Sequence, residues 1–324
     1  MKASILGAAG YVGQETLDRL LAHPDLEVAA LGSDSLAGSA SSALDVRLNG
    51  HLPAFVSNEE ALAAPVDVVF VCLGHEEAAS LDPPSDAVVV DLSGAHRLRD
   101  GARYVEWYGF EHPRADALHA WDYALPELAP AGGRLIANPG CYSTAALLAL
   151  GPIADLLEPG SVVVDGKSGV SGAGRAPKST SHAGFVLENI SAYRVGEHQH
   201  APEIEQALGL PVCFVPHVLP IRRGLLVTCY ARATGDVRGR LAEAYDDAPL
   251  VRVLPAGVTP ELARVHGTDE AEIAVFEDRS TETAIVVCAI DNLGKGAAGQ
   301  AVQNANLALG LDQTAGLRLS GVRV

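Results

Sequence analysis

Of the five cysteines in the chain, one is placed unlike the rest. Cys72, Cys213, Cys229 and Cys288 lie inside apolar, β-branched runs (VVFVCL, PVCFVPHV, LLVTCYA, AIVVCAI), where cysteine serves as a small buried hydrophobe. Cys141 stands instead in Asn138-Pro139-Gly140-Cys141-Tyr142-Ser143-Thr144, after a Pro-Gly turn and ahead of the helix-forming run AALLALGPIADLL. That spacing predicts its sulfur at a helix N-terminus, where main-chain N–H groups and the helix dipole favour the thiolate. A thiolate so placed is the nucleophile that covalent chemistry at a carbonyl carbon needs. An unreactive cysteine in a tight turn is the other reading of the same residues.

The second group is Gly196-Glu197-His198-Gln199-His200-Ala201-Pro202-Glu203-Ile204, two histidines one residue apart in a turn before a helix. Such a pair suits a general base for the thiol. It equally suits two ligands that would join Cys141 in a Cys/His/His zinc set, or structural capping of the helix. The third is Lys167-Ser168-Gly169-Val170-Ser171-Gly172-Ala173-Gly174-Arg175, whose N–H groups, hydroxyls and Arg175 fit either an anionic substrate or a surface turn. Arg97 after VVVDLS and Arg222-Arg223-Gly224 before LLVTCYA stand at strand ends, from which arginine can clamp carboxylate or phosphate bidentately.

These groups need elements to position them. The first half alternates: KASIL, LEVAAL, VDVVFVCL and AVVVDLS read as strands, and YVGQETLDRLLAH as a helix with Val12, Leu17, Leu20 and Leu21 on one side. Strands so uniformly apolar are buried on both faces, which predicts a parallel sheet covered by helices. Gly7-Ala8-Ala9-Gly10-Tyr11-Val12-Gly13 joins the first strand to the first helix. Glycines there let the backbone turn sharply and approach a pyrophosphate bound at the helix N-terminus. In the second half SVVVDG, PVCFVPHV, GLLVTCYARA, EIAVFED and TAIVVCAI are strands. The alternation of EIAVFED and the length of GLLVTCYARA point to a mixed or antiparallel sheet with one exposed face. The expected architecture is α/β: a Rossmann-type doubly wound parallel sheet over residues 1–140, completed by a C-terminal helix within 295–324, and an α+β catalytic, substrate and oligomerisation domain over 141–294.

A chain of 324 residues with 48% hydrophobic content can bury two cores. Its formal net charge of −17 argues against nucleic-acid or anionic-membrane surfaces. No apolar run is long enough to span a bilayer. An odd number of cysteines without framework spacing points to a reducing compartment, and with no signal-peptide pattern the cytoplasm is expected.

NPGCYST, SGVSGAGR, HQHAPEI, PIRRGLL and AIDNLGKGAAGQAVQNANLALG occur in an order that resembles the N-acetyl-γ-glutamyl-phosphate reductase family, over nearly the whole chain. The resemblance implies an NADP-dependent acyl-phosphate reductase of arginine biosynthesis, similar in logic to aspartate-semialdehyde dehydrogenase. It implies Cys141 as nucleophile and His198 as base. Gly7, Gly10, Tyr11, Val12, Gly13, Ser33 and Asn292 are then expected at the cofactor, with Arg97, Ser171, Arg175, His200 and Arg223 at a small acyl-phosphate substrate. The chain is expected as a homodimer or homotetramer. Two departures stand out. DLSGAHRL takes the place of the family's DLSADFRL beside Arg97. Gly32-Ser33-Asp34 takes the place of a TSR-like segment, putting an acid where NAD's ribose 2′-OH is bound about 20 residues beyond the glycine turn. NADP is therefore expected from the family, with NAD the alternative that Asp34 raises. The rival functions are a lysine-pathway reductase acting on an acylated α-aminoadipyl phosphate and a non-catalytic nucleotide-sensing module.

Overall fold

The computed structural model describes residues 1–48, 52–176 and 179–321. The chain divides into two compact units, one of Met1–Pro139 with Ala297–Leu317, the other of Gly140–Gly296 with the stretch from Arg318 on.

The first unit holds β1 (Lys2–Leu6), β2 (Glu27–Gly32), β3 (Phe55–Val56), β4 (Val68–Val71), β5 (Val88–Asp91), β6 (Asp122–Tyr123) and β7 (Leu135–Ala137) in the order β3-β2-β1-β4-β5-β7-β6. Every pairing among them is parallel. Helices α1 (Tyr11–Leu21), α2 (Asn58–Leu62), α3 (His75–Ala79) and α4 (Arg103–Tyr108) follow β1, β3, β4 and β5. Neighbouring residues of β4 point to opposite faces, and each face has its own helices. Phe70 packs in one core with Leu17 and Leu20 of α1, whereas Val69 and Val71 pack in another with Ala61 of α2 and Ala78 of α3. The sheet is therefore doubly wound, which explains why β4 is apolar and buried at every position.

The second unit holds α5 (Cys141–Leu150), β8 (Val163–Gly169), α6 (Ala183–Val186), β9 (Ser191–Ala192), α7 (His200–Leu208), β10 (Cys213–Leu219), β11 (Leu225–Ala231), α8 (Val237–Ala244), β12 (Val251–Val253), α9 (Leu262–Val265), β13 (Ala271–Asp278) and β14 (Thr283–Ile290). Its strand order is β12-β13-β14-β11-β8-β10-β9. Pairs β8/β10 and β12/β13 are parallel and the rest antiparallel. In β11 burial alternates, so Val227 and Cys229 face the core while Leu226, Thr228 and Tyr230 are half-buried on the other face. The chain returns to the first unit through a π-helical turn, Gly294–Ala298, and α10 (Gly299–Ala308), whose Val302 and Ala305 join the core of Leu17 and Leu20.

Two local expectations are corrected. Leu21 is 47% exposed, because it lies about 100° around α1 from Leu20; Thr16 and Arg19 are buried instead. The alternation read in EIAVFED is absent. Residues 271–274 are all buried, since Arg264 of the covering segment pairs with Glu272 at 2.8 Å over that part of the strand.

Candidate active site

Cys141 is the first residue of α5 and is half-buried, while Tyr142 to Leu150 are all buried. Gly140 caps the helix with extended backbone (φ −69°, ψ 154°) and no side-chain cap. The first-turn N–H groups, which have no intrahelical acceptor, thus lie beside the thiol, where they favour a thiolate and can meet a developing oxyanion. Two contacts hold this turn from outside the helix. The Gly140 N–H donates to Glu203 Oε2 at 3.1 Å, and Glu203 is fully buried. The His200 ring lies so close that a Cβ on Gly140 would fall 2.2 Å from its Nε2. A Cβ on Gly296 would likewise come within 2.9 Å of the Cys141 Cβ, so the turn before α10 must pass here as glycine.

His200 opens α7 and carries Glu203 one turn further on, with His200 Nε2 and Glu203 Oε1 3.9 Å apart. His198 precedes them. Its Nδ1 accepts the His200 main-chain N–H at 3.1 Å, which places the proton of the neutral ring on Nε2. The ring meets Tyr193 at 5.5 Å, Phe214 at 5.3 Å and His200 at 4.6 Å between centroids, all edge-to-face. Burial in that aromatic wall, reinforced by His200 and Arg194, lowers its pKa to about 2, so it is neutral across the physiological range. Tyr193 is pushed up to about 12, chiefly by burial. Cys229 and Cys288 are pushed well above a normal thiol by burial, and Cys72 to about 12 for the same reason. Those three are poor nucleophiles. Among the described residues no three His, Cys, Asp or Glu side chains converge as a metal-holding group, so the Cys/His/His zinc set is not assembled.

The anion-binding expectations fare differently. Asn292 Nδ2 donates to Ser171 Oγ at 3.0 Å while its Oδ1 accepts the Gly224 N–H at 2.7 Å, locking the loop after β8 to the start of β11. Arg223 is buried against Asp291 in a bidentate pair, Nε at 2.7 Å and Nη2 at 2.9 Å. Asp291 also accepts the N–H groups of Gly267, Leu293 and Gly294. Arg175 is exposed. Arg97 belongs to the first unit, where its Nε donates to Asn138 O at 2.8 Å and its Nη2 to Leu92 O at 2.9 Å. His96, in the segment that departs from DLSADFRL, pairs with buried Asp91 at 2.7 Å and stacks on Trp121 at 3.7 Å.

The glycine turn of the first unit has the form a dinucleotide needs. Gly7 has φ +70°, and a Cβ there would stand 2.3 Å from Cys72 O. A Cβ on Gly13 would stand 2.4 Å from Gly7 O. Gly10 caps α1 without a side chain, and Tyr11 and Val12 follow as its first residues. The result is a bare helix N-terminus beside a backbone that no side chain shields, which fits a pyrophosphate. Ser33 is buried, its Oγ 3.3 Å from that of Ser35. Glu203 was not anticipated, although its place three residues after His200 puts both on one helix face. Tyr193 and Asn58 carry no sequence signal of their own.

Fold and site together define the class of the semialdehyde dehydrogenases. A family model described as "Semialdehyde dehydrogenase, NAD binding domain" matches residues 2–132, and one described as "Semialdehyde dehydrogenase, dimerisation domain" matches 141–292. Aspartate semialdehyde dehydrogenase II of Vibrio cholerae, solved with ASA, has the same fold at a TM-score of 0.74 and 20% identity, over 95% of this chain and 98% of that one. The NADP-bound enzyme of Candida albicans gives 0.61 at 19% identity, over 95% and 98%. Full-length relatives are more particular. The N-acetyl-γ-glutamyl-phosphate reductase of Acidothermus cellulolyticus is 43% identical over 99% of this chain and 98% of its own length, and that of Salinispora tropica 42% over 99% of each. The probable chloroplastic enzyme of Arabidopsis thaliana is 38% identical over 98% of this chain and 84% of its own. The chain belongs to the N-acetyl-γ-glutamyl-phosphate reductase family.

Proposed function

We propose that the chain reduces N-acetyl-γ-glutamyl phosphate to N-acetylglutamate semialdehyde and phosphate, with NADPH as reductant, in arginine biosynthesis. The observation that carries this reading is Cys141 at the uncapped N-terminus of α5, half-buried, with the His200 ring against the preceding Gly140. The Cys141 thiolate attacks the acyl carbon, and the C–O bond to phosphate breaks as the thioester forms. Gly7, Gly10, Gly13 and Ser33 would hold the reduced nicotinamide dinucleotide, Ser33 toward a ribose phosphate, and that cofactor would be the source of hydride for the thioester. The first-turn N–H groups of α5 stabilise the oxyanion of the thiohemiacetal. Collapse of that species breaks the C–S bond, releases the aldehyde and returns the thiolate. His198 handles the proton at its Nε2; with Nδ1 held by the His200 N–H, that nitrogen enters the cycle protonated. As a base it must first release the His200 contact. His200, Ser171, Arg175, Arg223 and Arg97 are assigned to the substrate side, the last with phosphate. Asn292 is assigned to the cofactor side.

The first unit is assigned to the nucleotide and the second to catalysis and self-association. The half-buried face of the second sheet, with Leu226, Thr228 and Tyr230 beside the Asp165–Lys167 pair, is where a second copy would pack; the family description of this domain supports that assignment. Five free cysteines fit a reducing compartment such as the cytoplasm. The test is phosphate-dependent reduction of NADP⁺ by N-acetylglutamate semialdehyde, set against its one-carbon-longer analogue and repeated with Cys141→Ser. Turnover of the shorter aldehyde, lost in Cys141→Ser with nucleotide binding intact, is expected. Preference for the longer aldehyde, or more than a few per cent activity in Cys141→Ser, would overturn the reading.

A further inference from the structure

Asp34 stands just beyond β2, where an acid conventionally accepts the ribose 2′-OH and repels a 2′-phosphate. Its carboxylate is engaged elsewhere in the first unit. Oδ1 accepts the main-chain N–H of Asn58 at 2.9 Å, and Oδ2 accepts the Asn58 side-chain amide at 3.0 Å. The other end of that amide turns to the glycine loop: Asn58 Oδ1 accepts the Gly7 N–H at 3.0 Å. Gly7 is the residue at φ +70°, with no room for a side chain. Asn58 itself is fixed at the start of α2, because Ser57 and Glu60 close a reciprocal capping box around it. Gly32 leaves the passage open, since a Cβ there would stand 2.8 Å from Asn58 Oδ1.

We propose that Asp34 is a positioning residue that acts through Asn58 on the Gly7 turn, setting affinity for any nicotinamide dinucleotide rather than choosing between NADP and NAD. The inference rests on the nucleotide reading above and deepens it. An amide side chain can rotate about its last bond; donation of Asn58 Nδ2 to Asp34 Oδ2, with a longer contact to Glu77 Oε1 at 3.4 Å, holds Asn58 with its oxygen toward Gly7. The charge of Asp34 is met by two donors, so its effect on a 2′-phosphate is weakened at the source. The contact is common to both dinucleotides, because each carries the same pyrophosphate over the same turn.

The experiment is direct titration of the purified protein with NADPH and with NADH, followed by nucleotide fluorescence, for the wild type, Asp34→Ala, Asp34→Asn, Asn58→Ala and the Asp34→Ala/Asn58→Ala double variant. Asp34→Ala and Asn58→Ala are each expected to weaken both nucleotides by about tenfold, the scale of one charge-assisted hydrogen bond, and the ratio of the two affinities stays within about twofold of wild type. The double variant binds no more weakly than Asn58→Ala alone, because both changes cut one relay. Asp34→Asn, which keeps one acceptor, recovers part of the affinity. Thermal midpoints without nucleotide separate these effects from loss of the fold. A ratio moved about tenfold toward NADPH by Asp34→Ala would return the residue to direct contact with the ribose and overturn the proposal; so would unchanged affinity for both, or additive losses in the double variant. Wild-type protein that binds neither dinucleotide would overturn the nucleotide reading and this inference with it.

Discussion

His198 couples the site to the stability of the molecule around it. Its pKa falls from 6.5 to about 2 on burial, so between those values the unfolded chain holds a proton that the folded chain does not. Stability from this group is complete above pH 6.5 and is lost as pH falls toward 2. Between pH 7.5 and pH 5 the loss should be on the order of 1–2 kcal/mol. Replacing the ring with a non-titrating one of similar size, His198→Phe, should remove most of that slope. Urea unfolding midpoints at the two pH values measure it; an equal acid loss in wild type and variant would show that the slope comes from other groups. The places of Cys141 and His200 at helix starts were legible from sequence, from a Pro-Gly turn before one helix and H-x-H before the other. The arginines were less so. Arg223 is matched to Asp291, 68 positions away, and Arg97 to the carbonyl of Asn138. Nothing local tells whether a guanidinium will meet a ligand or the protein's own carboxylates and carbonyls.

At the scale of elements, the β1–turn–α1 unit depends on approaches that only glycine allows. Gly13→Ala should destabilise the protein by roughly 1–3 kcal/mol through overpacking, because the added carbon meets Gly7 O at 2.4 Å and Ala8 Cα at 2.7 Å, both main chain. Gly10→Ala should cost far less, its nearest neighbour being 3.3 Å away and its backbone extended. Thermal unfolding of the two variants compares them, and equal losses would refute the packing account. The parallel sheet could be read from its apolar runs because burial on both faces leaves no polar register. Two-residue strands such as β3 and β6 were not legible, being too short to show a period. The false alternation in EIAVFED has a related cause: a polar residue at 272 suggested an exposed face, whereas Glu272 is buried 2.8 Å from Arg264. An ion pair supplied by a helix only eight residues upstream can imitate a solvent-facing position.

For the whole molecule, the half-buried face of the second sheet predicts self-association. A charge placed in it, Tyr230→Glu, should convert the assembly to smaller species in analytical ultracentrifugation at micromolar concentration, while Glu106→Lys, on exposed α4 surface of the first unit, should leave the mass unchanged. A wild-type monomer, or a Tyr230→Glu protein of unchanged mass, would remove the face from the interface. The net charge of −17 disfavours association with polyanions but says nothing of which face pairs with a copy. From Tyr142 to Leu150 helix α5 has no wet side. Such a segment cannot fray outward into water one turn at a time, so its amides should exchange with deuterium through cooperative opening of the unit that encloses it. Cys141 is therefore fastened to one of the last parts of the chain to let go. Heat or denaturant should then silence the enzyme in a single step, without a half-active form in which the thiol has drifted while the rest still stands.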